Sequence, residues 1–375
     1  MSPEGALSTK RELGSSGAPG PAGAENEGVG LPSPDLDVHA VGFRRGTDRE
    51  LAAQHLVEAE IESERHPGSG HQPLESYVAF ARSLPSQFDD HTWIAVESDG
   101  TPAGSAACWS NAAGDPRIMQ GYLYVRRPWR RRGLGWRLLD AVVEEAFTEG
   151  RSTLLWSTYD TIPAGEGFSR RAGGRVGRVN RTSELVLAGV EWERVESWAA
   201  QGPRRAAGCR LEFWDGPLPE HVLDDAARVH ALMNTQPHDD LEVGDVNIDA
   251  TQAAEVDRHL VESGRRRWTL FVRDRAGRCV GGTELTFQPW DPGRAHQQNT
   301  AIDAGHRGKG LAKWAKATML LRLRAKRPDV LCVRTSNAFS NEAMLAINTA
   351  LGFDVVEVRT EWQGRVAEMR EALAR

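Results

Sequence analysis

Apolar residues at Leu134, Leu138, Leu139, Val142, Val143 and Ala146 recur at three- and four-residue spacing, which predicts an amphipathic helix. The run Met119 to Val125 just before it predicts a strand, with a short glycine-containing loop between them. The same arrangement returns about 177 residues later. There the strand Asn299 to Ile302 precedes a helix whose apolar face is Leu311, Ala312, Ala315, Met319, Leu320 and Leu323. The flanking elements repeat in the same order. In the first half a strand at Val41 to Arg44 precedes helices at Asp48 to Glu64 and Leu74 to Leu84. Strands Thr92 to Glu97 and Gly104 to Trp109 then turn at Asp99-Gly100. After the glycine loop and its helix come a strand at Thr153 to Ser157, a helix at Glu166 to Ala172 and a strand at Glu184 to Leu187.

In the second half the strand is Arg210 to Trp214, followed by helices Glu220 to Met233 and Thr251 to Ser263. Strands Trp268 to Arg273 and Val280 to Phe287 turn at Ala276-Gly277. Strand Val330 to Thr335, helix Asn341 to Leu351 and strand Asp354 to Val358 close it. Repetition of order, spacing and motif implies a duplicated α/β unit. The expected organisation is a tail at 1–36, a first domain at 37–190, a connection at 191–206 and a second domain at 207–375. The tail is rich in Gly, Pro, Ala, Ser and Glu, and too poor in apolar residues to offset its ordering entropy, so disorder is expected there.

Composition narrows the function classes. Net charge is −6, from 46 Lys+Arg against 52 Asp+Glu, so no overall basic field points to nucleic acid. Arginine clusters are local. No apolar run is long enough to span a membrane, and no signal peptide is evident at the start. Cys108, Cys209, Cys279 and Cys332 stand apart without a C-x-x-C, as expected of thiols in a reducing cytoplasm. His221, His230 and His238 lack metal-ligand spacing, so no metal is expected.

The two loops carry the candidate chemistry. The first is Arg130-Arg131-Arg132-Gly133-Leu134-Gly135, after a strand ending at Val125. The second is Arg307-Gly308-Lys309-Gly310-Leu311-Ala312, after a strand ending at Ile302. A loop that opens a helix presents unpaired backbone N–H groups and the positive end of the helix dipole. Glycines let an anion come close, and the arginines add charge. Neither loop is a nucleotide-triphosphate motif, because Lys309-Gly310 is not followed by Ser or Thr.

Strand, Arg-x-x-Gly-x-Gly/Ala, helix and strand, followed by Asn341-x-x-Met344-x-x-Ile347-Asn348-x-x-x-Gly352-Phe353, resembles the GNAT superfamily of acyl-CoA N-acyltransferases. The resemblance covers roughly residues 40–190 and 208–360, and the tandem arrangement resembles bacterial two-domain members. It implies two tandem GNAT domains, each a twisted mixed β-sheet flanked by helices, with acetyl-CoA or another acyl-CoA as co-substrate. The loop amides of Arg130 to Gly135 and Arg307 to Ala312 would bind its pyrophosphate. The strands ending at Val125 and Ile302 would pair with the pantetheine arm, and Asn337 and Asn341 would lie beside the cofactor.

The implied reaction is direct attack by a primary amine on the thioester, which needs a base, oxyanion donors and a proton for the thiolate. The acceptor is expected to be a small molecule or a peptide, with no nucleic acid or membrane partner. Aligning the halves sets Glu284 opposite Ala107, so Glu284 is the candidate base, against the plainer reading of a glutamate paired to an arginine. The loop with His238, Asp239, Asp240, Glu242 and Asp245 either attracts a cationic amine or is a solvated acidic loop. These features favour the second half as the catalytic one. One departure stands out: the family's frequent tyrosine acid is Asn348 here, so the proton donor is unassigned. Two further readings stay open: a silent acyl-CoA-binding regulator and an aminoacyl-tRNA-dependent transferase.

Overall fold

A computed structural model describes residues 36–374, so the expectation of a disordered tail falls almost wholly outside the described residues. The first half runs β1 (Asp37–Val41), α1 (Asp48–Arg65), α2 (Leu74–Arg82), β2 (Phe88–Val96), β3 (Pro102–Asn111), β4 (Ile118–Val125), α3 (Leu134–Thr148), β5 (Thr153–Tyr159), α4 (Ala164–Arg171) and β6 (Arg175–Val186). Helix α5 (Trp192–Arg205) follows. The second half runs β7 (Arg210–Asp215), α6 (Leu223–Ala231), α7 (Ala250–Glu262), β8 (Arg266–Arg273), β9 (Cys279–Phe287), β10 (Arg294–Ile302), α8 (Leu311–Lys326), β11 (Cys332–Ala338), α9 (Glu342–Leu351), β12 (Asp354–Arg365) and α10 (Val366–Leu373). Among these described residues no helix is long and apolar enough to cross a membrane.

All twelve strands form one mixed sheet in the order β1-β2-β3-β4-β5-β12-β6-β11-β10-β9-β8-β7. The two halves exchange their last strands. β12, from the end of the chain, lies antiparallel to β5, with Trp362 opposite Trp156, while β6 of the first half lies antiparallel to β11. β6 and β12 also pair with each other, which welds the halves into a continuous sheet. Each exchanged strand carries a helix onto the other half. Val366 and Met369 of α10 join the core built on Leu138, Leu139, Val142 and Leu154. Val190 and Val195 join the core built on Leu311, Ala315, Met319 and Leu323. In space, therefore, one unit comprises 37–171 with 354–373, and the other comprises 175–353.

The stretch read as a plain connection is thus a packed helix, with Gly202 of α5 seated against the Trp314 ring of α8. Strand β6 is far longer than the expected Glu184 to Leu187, β12 runs on to Arg365, and α10 follows it. The physical reason is that β6 and β12 are polar. Their arginines are satisfied across the joint, with Arg178 Nε donating to Glu361 Oε2 at 2.5 Å. Such side chains break the apolar alternation by which a strand is read.

Candidate active site

The two glycine loops have the same backbone conformation. Each follows a single 3₁₀ turn, at Arg127–Trp129 and Ala304–His306. Arg130 and Arg307 are extended, at φ −67° and −66°, with each Nε donating to the carbonyl that ends the preceding strand, Val125 O at 2.8 Å and Ile302 O at 2.9 Å. The next residue is left-handed in both, Arg131 at φ 64° and Gly308 at φ 77°. Gly133 and Gly310 are left-handed again, at φ 80° and 79°, and cap α3 and α8. The first helical amides, Leu134 and Gly135 or Leu311 and Ala312, have no acceptor within the helix and point outward as an anion nest.

The charged side chains divide unevenly. Arg130 is committed to Glu64 of α1 through a bidentate pair at 2.9 and 2.6 Å, so it anchors the loop. Those bonds, led by Arg130, hold the Glu64 carboxyl down at about 2. Arg131 and Arg132 are exposed and have no salt-bridge partner among the described residues. In the second loop Arg307 donates to Thr235 Oγ1 at 2.5 Å, and Lys309 to Gly305 O at 3.2 Å.

Beyond the loops the two units part company. β4 and β5 pair only from Ile118–Thr153 to Gln120–Leu155 and then splay. A cleft of about 1670 Å³ opens in that wedge, lined from Gly133 and Gly135 at the loop through Val125 and Tyr124 to Tyr122 and Glu58. Gly135 lets that wall pack closely, since a Cβ there would press on the Phe168 ring of α4 at 3.3 Å. On the α1 side Glu58 Oε1 accepts from Tyr122 Oη at 2.5 Å, Tyr77 Oη at 2.8 Å and Gln54 Nε2 at 3.3 Å. Burial raises the Glu58 carboxyl above its ordinary value, against the lowering effect of those bonds. Tyr124 stacks on Tyr122 with ring centroids 4.6 Å apart, and Tyr159 lies across the wedge under the Arg65 guanidinium. Arg65 is in turn fixed by a bidentate pair to the buried Glu357 of β12.

In the second unit β10 and β11 splay after His296–Arg334, and β10 carries a bulge between Gln297 and Thr300. Here the wedge holds a polar network. Lys316 of α8, the counterpart of cleft-lining Leu139, is buried and donates to Asn348 Oδ1 at 2.8 Å, while Asn348 Nδ2 donates to Asn337 Oδ1 at 2.7 Å. Asn341 caps α9 and donates to Gln236 at 2.7 Å. Burial lowers the Lys316 amine from its ordinary 10.5 to about 7. Between those two values the unfolded chain holds a proton there that the folded chain does not, so stability rises with pH across that window. Replacing Lys316 with Leu is expected to flatten that rise and to raise the melting temperature at neutral pH, read by thermal unfolding from pH 6 to 10. An unchanged pH profile would mean that Lys316 stays charged in the fold.

Glu284 lies apart from the cleft. It sits on the face of β9 covered by α6 and α7, 3.7 Å from Arg267 Nη1, and Arg267 also binds Asp257. Burial raises its carboxyl and Arg267 opposes the rise. This is the arginine-paired arrangement, and the geometry brings no cleft residue to it. The acidic loop is docked, too: Asp240 N donates to Gly177 O, Gln363 bridges Asp240 O and Glu242 N, and Glu242 binds Arg365. It serves as a clasp on β6 and β12.

Sequence reading missed Glu58. Helix α1 holds glutamates at 58, 60, 62 and 64, and nothing local singles out one of them.

Residues 56–168, which span this cleft from α1 to α4, match the model of the acetyltransferase (GNAT) family. No curated protein matches the chain. Among solved structures, the fold is similar to a tandem GNAT protein from the clavulanic acid biosynthesis pathway. That likeness has a TM-score of 0.71 and 21% identity over 88% of this chain and 99% of the other. A GCN5-related N-acetyltransferase from Sphaerobacter thermophilus follows at TM-score 0.59 and 15% identity, covering 90% and 97%. A putative acetyltransferase from Pyrococcus horikoshii gives 0.51 and 12%, covering 91% and 93%. Residues 56–168 thus carry the family match, and the chain as a whole has the fold of a tandem GNAT protein.

Proposed function

We propose that the protein is an acyl-CoA-dependent N-acyltransferase, with acetyl-CoA as donor, and that the first unit performs the chemistry. The observation that carries this is the cleft between splayed β4 and β5, which runs without interruption from the Gly133 nest to Glu58. In this reading the amides of the loop and the exposed Arg131 and Arg132 hold the pyrophosphate. The free edge of β4 near Val125 pairs with the pantetheine arm. Glu58, with its raised carboxyl, takes the proton from the acceptor ammonium, and the amine attacks the thioester carbon directly. Tyr124 or Tyr159, both of which line the cleft, supplies the proton for the departing thiolate. The second unit keeps the loop conformation but fills its wedge with Lys316, Asn348 and Asn337, and its role is to complete the first through β12 and α10. Glu284 has no step in this scheme.

Calorimetric titration of the full chain with acetyl-CoA tests the assignment. One site is expected. Gly133→Val forces a β-branched residue into a left-handed position and blocks the phosphate approach, and is expected to weaken binding by roughly 100-fold, the loss of one or two charge-assisted bonds. Gly310→Val is expected to leave that site intact. Binding lost in Gly310→Val and kept in Gly133→Val would move the active site to the second unit. Tight binding without thiol release for any amine would identify a silent acyl-CoA-binding protein instead.

A further inference from the structure

The acceptor end of the first cleft is closed by the second half of the chain. Arg265, Gln288 and Trp290 line it opposite His55 and Gln72 of the first half. The approach is close: Gly70 lies so near the Trp290 carbonyl that a Cβ there would sit 1.8 Å from its oxygen. Arg265 is the unusual member. Its guanidinium packs against two rings, 4.9 Å from the Phe80 centroid and 5.1 Å from that of Trp290. Its hydrogen bonds go to neutral oxygens, Ser263 Oγ at 3.0 Å and Gln72 Oε1 at 3.4 Å. No carboxylate pairs with it among the described residues, where most half-buried arginines of this chain have one, as Arg65, Arg130, Arg178 and Arg294 do. Burial without a counter-charge lowers it to about 10. A desolvated cation with no carboxylate paired to it is unfavourable unless a ligand supplies the anion.

We propose that the acceptor amine of this transferase also carries a carboxylate, which Arg265 receives while the amine lies at Glu58. The assignment rests on the transferase reading of the cleft. Three observations converge on it. Two of the guanidinium's five N–H donors go to Ser263 and Gln72, and the planar fork keeps donors to spare whose geometry matches a carboxylate. Arg265 and Glu58 share one wall through a short relay: Arg265 bonds Gln72, whose carbonyl is 2.6 Å from His55 Nε2, and His55 is one helical turn from Glu58. Finally, Glu58 and Glu62 face the same cleft, so a single guanidinium balances a monoanion there better than a phosphate dianion. The cleft thus has an acidic end for an ammonium and a cationic end for an acid, which suits a zwitterion.

The test uses the full chain with acetyl-CoA and a panel of amino acids and dipeptides, each as the free acid and as the primary amide, with O-phosphoethanolamine as the phosphate-bearing amine. Thiol release gives turnover, and saturation-transfer NMR reports binding independently of turnover. Free acids are expected to bind and react, and amides to do neither. Arg265→Gln is expected to raise KM for the acids by at least 10-fold and to erase the preference over amides. Arg265→Lys should recover part of it, and acetyl-CoA affinity should hold in both variants. Amides accepted as readily as acids, phosphoethanolamine preferred, an unchanged KM in Arg265→Gln, or no binding of any free acid would each overturn the proposal. Free acids that bind through Arg265 without thiol release would leave the acid site standing and remove the transferase reading.

Discussion

Replacing Glu58 by Gln is expected to lower kcat for acetyl transfer by roughly 10²–10⁴-fold, the usual contribution of a positioned general base. Gln is close to isosteric, and its carbonyl still accepts from Tyr77 and Tyr122, so the fold and acetyl-CoA affinity should be kept. The pH profile adds a second check. A base works only when deprotonated, so activity should fall as pH drops through the Glu58 pKa, and burial places that limb above the ordinary 4.5. In Glu58→Gln the limb should vanish along with the rate. A loss of only a few-fold, with the acid limb still present, would put the base elsewhere. The parallel change Glu284→Gln should leave turnover within a few-fold of the parent, since Glu284 faces Arg267 and not the cleft.

The second large effect concerns the exchanged strands. Trp362 is fully buried on β12, its indole N–H donates to Thr158 Oγ1 of β5 at 2.8 Å, and the Arg170 guanidinium lies 5.3 Å from its ring. Trp362→Ala is expected to destabilise the protein by about 3–5 kcal/mol, the range for deleting a buried aromatic side chain. Its effect should also be felt far away in sequence. Because β12 completes the wedge beside β5, amides of residues 153–159 should lose hydrogen-exchange protection, and acetyl-CoA binding in the first unit should weaken. Exchange in 153–159 indistinguishable from the parent would mean that β12 does not pair with β5 in solution.

The helices α3 and α8, the strands that feed them and the glycine loops were legible in the sequence because each rests on local causes. An apolar stripe at helical spacing can bury itself in only one way. A left-handed backbone position selects glycine, and the order strand–loop–helix is short-range. Arg131 shows where that logic thins: its counterpart Gly308 announces the left-handed turn, while Arg131 adopts it unannounced. Duplication of the unit was likewise apparent, since a repeat is a property of the sequence itself.

The exchange of β6 and β12 was decided only by tertiary structure. Arg178 meets Glu361 across 183 residues, and Arg65 meets Glu357 across 292. A polar side chain looks like a surface residue until its distant partner is known. Choice of the working cleft has the same origin. The two loops share one conformation, so the sequence favours neither on that ground, and it is Glu284, Asn337, Asn341 and the acidic loop that point to the second half. In the fold Asn337 is taken up by Asn348, which also accepts from the buried Lys316, and Glu284 faces Arg267. Of the four glutamates in the second half of α1, at 58, 60, 62 and 64, three find arginines: Glu60 pairs with Arg126, Glu62 with Arg65, and Glu64 with Arg130. Glu58 alone of these lines the cleft with two phenols and no arginine on its carboxylate, because burial and neighbours set a carboxyl's chemistry, and both come from packing.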